Sequence, residues 1–258
     1  EPGEAPLSQT DRFAWCISDV FLDVPGHRPE LVWLCGTGQV ESVIGFNGAA
    51  TDTDGDGLEQ IATRLTHLGM RGTCSVGAVY ATLRLGTNAP GGVEEDANNT
   101  PGILDVRPYG PAGTVESFFD VYFDVTVGGQ PLHMSRPTLT TARLSQWPPD
   151  WEEVYTNLED FVDLLTVNDV PSGLRMRMDR WVPRPRRPVA GLSWQTDGRL
   201  LVAWTNRACC FVVDRTTALS PPANDWTFFG QPAPTGTIGD IGVRFDPTNG
   251  FFRLRFVP

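Results

Sequence analysis

The clearest pattern in the chain is the alternation of Phe119, Val121, Phe123, Val125 and Val127 with Asp120, Tyr122, Asp124 and Thr126. Period two over this length predicts a strand with one buried face, and burying each large side chain contributes roughly 1.5–3 kcal/mol. Gly128-Gly129 then predicts a hairpin into a strand around residues 132–134. Phe13, Trp15 and Ile17 open a first strand, and residues 31–35 and 40–46 read as two more, with Gly36 and Gly38 marking a turn between them. Leu58, Ile61, Leu65 and Leu68 fall at spacings of three, four and three, which predicts one face of a short helix stopped by Gly69. Val154, Leu158, Phe161, Val162 and Leu165 predict a second short helix, with Glu152, Glu153, Glu159, Asp160 and Asp163 on its outer face.

The pattern also divides the chain. Residues 1–12 are polar and proline-bearing, and read as a flexible or partner-bound arm. Alternating prolines in Arg180-Trp181-Val182-Pro183-Arg184-Pro185-Arg186-Arg187-Pro188 keep that stretch extended and block helix. Beyond it, Leu200, Val202, Trp204, Phe211 and Val213 alternate, and Asp197-Gly198 and Asn249-Gly250 read as hairpin turns. The expected architecture is mainly β: two β-sandwich-like units with one or two short helices. The units are a β-rich domain over residues 13–180 and a β module over 189–258, joined by a Pro/Arg linker at 181–188.

Composition supports many short strands: 27 Gly and 22 Pro among 258 residues. A formal charge of −11 repels nucleic acid and anionic membranes, so neither is an expected partner. All 20 basic residues are arginine, which excludes chemistry that needs a lysine amine. No apolar run approaches the ~18 residues of a membrane span. The first residue is Glu1, which leads to the expectation of an exported protein, extracellular or at the cell surface, with its signal peptide removed. Five cysteines (Cys16, Cys35, Cys74, Cys209 and Cys210) lack any CxxC spacing, so they are disulfide candidates, and one bond among the first three is expected.

Candidate chemistry centres on Asp52-Thr53-Asp54-Gly55-Asp56-Gly57. Carboxylates at every second residue, followed by a glycine, aim oxygen ligands at one centre and allow a sharp turn, as calcium loops require. Glu94, Glu95 and Asp96 make a second acidic stretch and a possible second metal loop. His27, His67 and His133 are scattered, GxSxG and HExxH are missing, and His133 beside its hairpin reads as structural. Among the eight tryptophans, Trp15, Trp33, Trp194 and Trp204 lie in strand patterns and read as core. Trp147, Trp151, Trp181 and Trp226 sit in proline-rich or loop contexts and are candidates for exposed stacking on a ligand.

Three resemblances follow from these residues. The acidic loop is similar to dockerin and thrombospondin type 3 calcium loops. The resemblance implies side-chain ligands at Asp52, Asp54 and Asp56, a backbone carbonyl at Leu58 and a further ligand at Gln60. Thr63 stands where those loops carry a bidentate acid, which implies weaker binding. The Leu200-to-Trp204 strand, Cys210-Phe211-Val212-Val213, the 219–226 stretch and Phe251-Phe252-Arg253-Leu254 resemble fibronectin type III and immunoglobulin-like modules of secreted bacterial proteins. Residues 40–140, with Thr51 to Gln60 and Ser117 to Asp120, are similar to a region of secreted bacterial proteins to which no activity attaches. Together these imply a non-enzymatic, calcium-stabilised structural protein that self-assembles into a filament, matrix or surface layer, alone or with neighbouring extracellular proteins. A carbohydrate-binding or adhesion module, or a hydrolase cutting polysaccharide with paired carboxylates, are the alternatives.

Overall fold

Alternation extends much further than the central hairpin. In this computed structural model no α-helix occurs among the described residues, and strands make up most of them. Those residues are 7–185, apart from 46–47, 85–88, 111–112 and 158, together with segments between 190 and 256. The chain divides into two compact units, Glu1–Pro185 and Arg186–Pro258.

The first unit contains β1 (Leu7–Asp23), β2 (Glu30–Ile44), β3 (Gln60–Cys74), β4 (Gly77–Leu83), β5 (Ala89–Glu95), β6 (Val115–Val121), β7 (Phe123–Val127), β8 (Gln130–Met134), β9 (Thr138–Leu144), β10 (Tyr155–Thr156), β11 (Val162–Thr166) and β12 (Pro171–Val182). They form one antiparallel sheet that closes on itself through the β1–β12 and β3–β5 pairings. Four staves of the closed sheet are each filled by two successive short strands: β4 with β5, β6 with β7, β8 with β9, and β10 with β11. The twelve strands therefore make an eight-stave, up-and-down barrel. Closure leaves no open edge for another chain to extend.

At eight staves an interior is just wide enough for side chains to fill or for one small ligand. Here aromatic rings fill the centre. Phe13, Phe119, Tyr155 and Trp181 cluster with neighbouring ring centroids 5.0–6.3 Å apart, and the Tyr155 hydroxyl meets Ser117 Oγ at 2.9 Å. Two glycines permit tight coiling of the wall. A Cβ at Gly36 would lie 1.8 Å from the Gly69 carbonyl oxygen, and one at Gly72 would lie 2.2 Å from that of Trp33. Gly36 and Gly38 thus belong to strand β2, not to a turn, and at Gly36 the backbones approach too closely for any side chain.

The mainly-β, sandwich-like organisation expected from the pattern is present; the two helices are not. Ile61, Thr63 and Leu65 point inward with period two. A register shift opposite Gln39/Val40 then moves the inward series to Leu68 and Met70. A strand with a bulge thereby imitates helical spacing. In the second case Tyr155 and Val162 to Thr166 are strand residues, with Tyr155, Val162 and Leu164 buried.

Both expected boundaries shift as well. Leu7 to Phe13 pair with Ile44 to Gly38, so the second half of the supposed arm is barrel wall. Trp181 and Val182, assigned to the linker, end β12 and are each 1% exposed. The second unit holds two three-stranded antiparallel sheets. One comprises β13 (Ala190–Trp194), β14 (Arg199–Thr205) and β17 (Ile238–Arg244); the other comprises β16 (Thr227–Gly230), β15 (Phe211–Thr216) and β18 (Phe251–Phe256). Residues 1–6 of the arm, linker residues 186–188, Cys209, Cys210, Trp226 and the turns at Asp197-Gly198 and Asn249-Gly250 lie outside the described residues.

Candidate functional site

The barrel's two ends are built differently. Residues 24–29, 75–76, 128–129 and 167–170 make short turns at one end, whereas 45–59, 96–114 and 145–154 are long connections at the other. Loops at the open end of a rigid barrel are where binding groups can vary without disturbing the scaffold.

The acidic loop lies at the long-loop end. Its base is pinned where Thr51 and Gln60 exchange backbone hydrogen bonds of 3.4 and 3.1 Å. Gly55 and Gly57 adopt φ of 83° and 95° with open space around them, so conformation requires glycine there, not crowding. Their N–H groups donate to the two carboxylate oxygens of Asp52 at 2.7 and 3.0 Å, and Leu58 N–H donates to Asp56 Oδ1 at 2.9 Å. The Gly55 N–H in particular holds the Asp52 carboxyl below its ordinary range. Asp52, Asp54 and Asp56 each offer one oxygen, and the three lie within 4.8 Å of one another on the exposed surface. Hard oxygen donors at this separation can hold a metal ion.

The other implied ligands sit differently. Gln60 is already in β3, opposite Glu94, and Thr63 is buried in the barrel wall. The loop runs into strand β3, where the residue spacing predicted a helix. The second acidic stretch does not converge, because successive strand residues face opposite ways. Glu94 lies in the field of the exposed loop: burial first, then Asp56 and Asp54, followed by Glu116 and Asp52, push its pKa up. Glu95 turns inward, and Asp96 pairs with Arg143 at 2.9 Å.

Inside the loop end, Glu95 is 1% exposed and Glu59 is 6% exposed. Glu95 accepts the N–H groups of Glu59 and Asp105, both at 3.0 Å, and Glu59 Oε1 accepts that of Gly102 at 2.7 Å. The two carboxyl groups touch. Burial, followed by contact with Glu59, pushes the Glu95 pKa up to about 7. Sequence reasoning did not pair Glu59 with Glu95; the only signal for the pair was the place of Glu59 directly opposite Glu95 once β3 is read as a strand beside β5.

Beside the acidic loop is a groove of about 520 Å³. Its walls include Val43, Ala50, Thr51, Thr53, Ala62 and Phe118. Strand register makes its floor: Val43 sits opposite Ala62, Ala62 opposite Gly92, and Gly92 opposite Phe118. A second groove of about 540 Å³ lies on the wall towards the short-turn end, lined by Tyr80, Arg84, Asp124, His133 and Asp169. There His133 Nε2 meets Asp169 Oδ1 at 2.9 Å, with the imidazole largely buried.

The stacking tryptophans are mostly reversed. Trp147 is fully buried and donates to Ser42 Oγ at 3.1 Å, and Trp181 is core; only Trp151, 54% exposed, faces solvent among those described. Trp15 and Trp33, read as core, are half-buried. Proline-rich contexts here mark a loop folding across the barrel mouth, not an exposed platform. Cys35 is disulfide-bonded, while Cys16 and Cys74 are free, so no bond joins the first three cysteines. Cys16 is fully buried, which pushes its thiol up to about 12 and leaves it inert.

No family model matches the chain, and no curated protein matches it. Among solved structures it is similar to DynF from the dynemicin biosynthesis pathway of Micromonospora chersina, with a TM-score of 0.50 and 20% sequence identity, covering 69% of this chain and 81% of that one. At that identity the likeness concerns the fold. It overturns the expectation of a non-enzymatic, self-assembling structural protein, because the fold is shared with a biosynthetic-pathway protein. The closed sheet points the same way, since residues 7–12 of the arm that was to extend a neighbour's sheet are paired within their own barrel.

Proposed function

We propose that the first unit is a binding barrel, taking a small, largely apolar molecule in the groove beside the acidic loop, with calcium as the ion that fixes that loop. One observation carries this reading: Thr51 and Thr53, the two neighbours of Asp52, are themselves walls of the groove. An ion drawn to Asp52, Asp54 and Asp56 therefore sets the shape of the binding wall. The cavity's volume lies in the range of roughly 300–1,000 Å³ that small-molecule sites occupy. Val43 and Phe118, 47% and 39% exposed, supply apolar contact. The all-oxygen ligand set supports calcium over softer metals, and without a bidentate acid at Thr63 the affinity belongs near ~10⁻⁴–10⁻³ M. Such affinity suits a compartment rich in free calcium, and the disulfide at Cys35 supports an oxidising, extracytoplasmic setting. The shared fold with a protein of the dynemicin biosynthesis pathway supports a setting in which small molecules are handled.

The test is binding of a hydrophobic fluorophore to the full chain. Ala62→Trp, which fills the groove from an exposed wall position, is expected to weaken binding at least about tenfold. Chelation or Asp54→Ala is expected to weaken it by a smaller factor. Unchanged binding to Ala62→Trp would overturn the proposal.

A further inference from the structure

We infer that the long-loop end holds a second, buried cation, bridged by the carboxylates of Glu59 and Glu95 with the amide oxygen of Asn98 alongside. This site is separate from the exposed aspartate triad and stands or falls independently of it.

Two carboxylates in contact, 6% and 1% exposed, cannot both be ionised without a positive partner between them. No arginine supplies it among the described ion pairs, where Arg64 goes to Glu41 and Arg143 to Asp96. The N–H groups of Glu59, Gly102 and Asp105 satisfy both Glu95 oxygens and Glu59 Oε1. Glu59 Oε2 and Asn98 Oδ1 are buried with no donor. The Asn98 side chain reaches the Glu59 carboxylate. A proton shared between the two glutamates settles their own repulsion but leaves the Asn98 oxygen unmatched. A metal ion answers both needs, since it attracts every free lone pair at once. Nitrogen and sulfur ligands are lacking, so the ion is a hard divalent cation of the calcium type.

The placement also explains why the second acidic stretch looked like a loop site. Glu95 alone belongs to it, and its partners arrive from β3's leading edge and from the following loop. Asn98 Nδ2 donates to the Gly57 carbonyl at 3.0 Å, so the buried site abuts the exposed one.

Calorimetric titration of calcium into the metal-stripped full chain tests this. The wild type is expected to bind two ions per chain, Asp54→Ala one, and Glu59→Gln with Glu95→Gln one. Glu59→Asp, which keeps the charge but shortens the reach, is expected to weaken the buried site at least about tenfold. Should the glutamine variants fold poorly, Asp54→Ala still decides, because the substitution is exposed and its melting must continue to rise with calcium. A single ion lost completely in Asp54→Ala would overturn the buried site, as would wild-type stoichiometry in the double glutamine variant. A single ion that survives Asp54→Ala but vanishes with the glutamates would support the buried site and retire the exposed one.

Discussion

The short-turn end of the barrel is finished by geometry, and the long-loop end by chemistry. Gly128-Gly129, both at positive φ, and the turn closed by the Asp169 N–H to Thr166 hydrogen bond complete their hairpins with little besides backbone. At the opposite end the same scaffold carries buried carboxylates, an aspartate loop, a tryptophan plug and an apolar groove. The difference teaches where stability and function separate. Apolar packing continues through both halves, but among the described residues only the long-loop end buries two carboxyl groups against each other.

The largest effects should come from packing and be similar at both ends. Phe123→Ala and Trp147→Ala each remove a fully buried ring and are expected to cost about 3–5 kcal/mol in denaturant unfolding. Trp147→Ala should in addition make loop 96–114 more cleavable by protease: alanine keeps the backbone N–H that donates to the Arg107 carbonyl at 2.8 Å, but loses the buried ring, held by its indole bond to Ser42 Oγ at 3.1 Å, that anchors that backbone. A loss under about 1 kcal/mol for Trp147→Ala would break the view that it seals the mouth.

A pH effect should be confined to the long-loop end. Glu95 titrates near 4.5 when unfolded and at about 7 when folded, so between those values the folded chain holds the extra proton. Stability gained from the raised pKa is complete below about 4.5 and is lost as pH rises through about 7. In chelator, the melting temperature of the wild type is expected to fall by several degrees from pH 5 to pH 8, and Glu95→Gln to flatten that decline. Asp52 has the opposite sign. Its depressed pKa adds stability that is present above the unfolded value and disappears only as pH falls through the folded one. Identical profiles for the wild type and Glu95→Gln would remove Glu95 as the cause.

Metal removal should be milder. At ~10 mM calcium and a dissociation constant near ~1 mM, binding contributes about 1.4 kcal/mol, so chelation is expected to lower the melting temperature by a few degrees. Asp54→Ala should reduce the response without flattening it if the buried pair also binds calcium.

The same contrast decides what the sequence could reveal. Strands with one inward face were legible: 119–127 reads as β whatever surrounds it. The aspartate loop was legible too, because its ligands are close in sequence and its glycines have a local cause. Barrel closure was not, since it depends on β1 finding β12 across more than 150 residues, a pairing no local spacing records. The bulge in β3 turned period two into an apparent helical stripe. Trp147 and Trp181 misled because proline neighbours describe only the backbone: Trp181 is an inward residue at the end of β12, and Trp147 is buried where its loop folds over the mouth. Glu59 and Glu95 were invisible as a pair until their strands were aligned.

Surface charge should separate the ends least. Asp23 pairs with Arg175 beside the short turns, and Asp96 pairs with Arg143 beside the long loops. Their arginine side chains are 51% and 71% exposed, so water screens both and each pair is worth only about 0.2–1 kcal/mol. The Asp96 pair shares its carboxylate with Thr114 Oγ1, which ties the two limbs of loop 96–114 together. Arg143→Ala is therefore expected to increase amide exchange in that loop while barely moving global unfolding, and ~0.5 M salt should reproduce it. Arg175→Ala has no long loop to release and should change neither. Equal exchange in both variants would mean that the loop's order comes from Asp105, Glu95 and Trp147 alone, and that the rim charges serve only solubility.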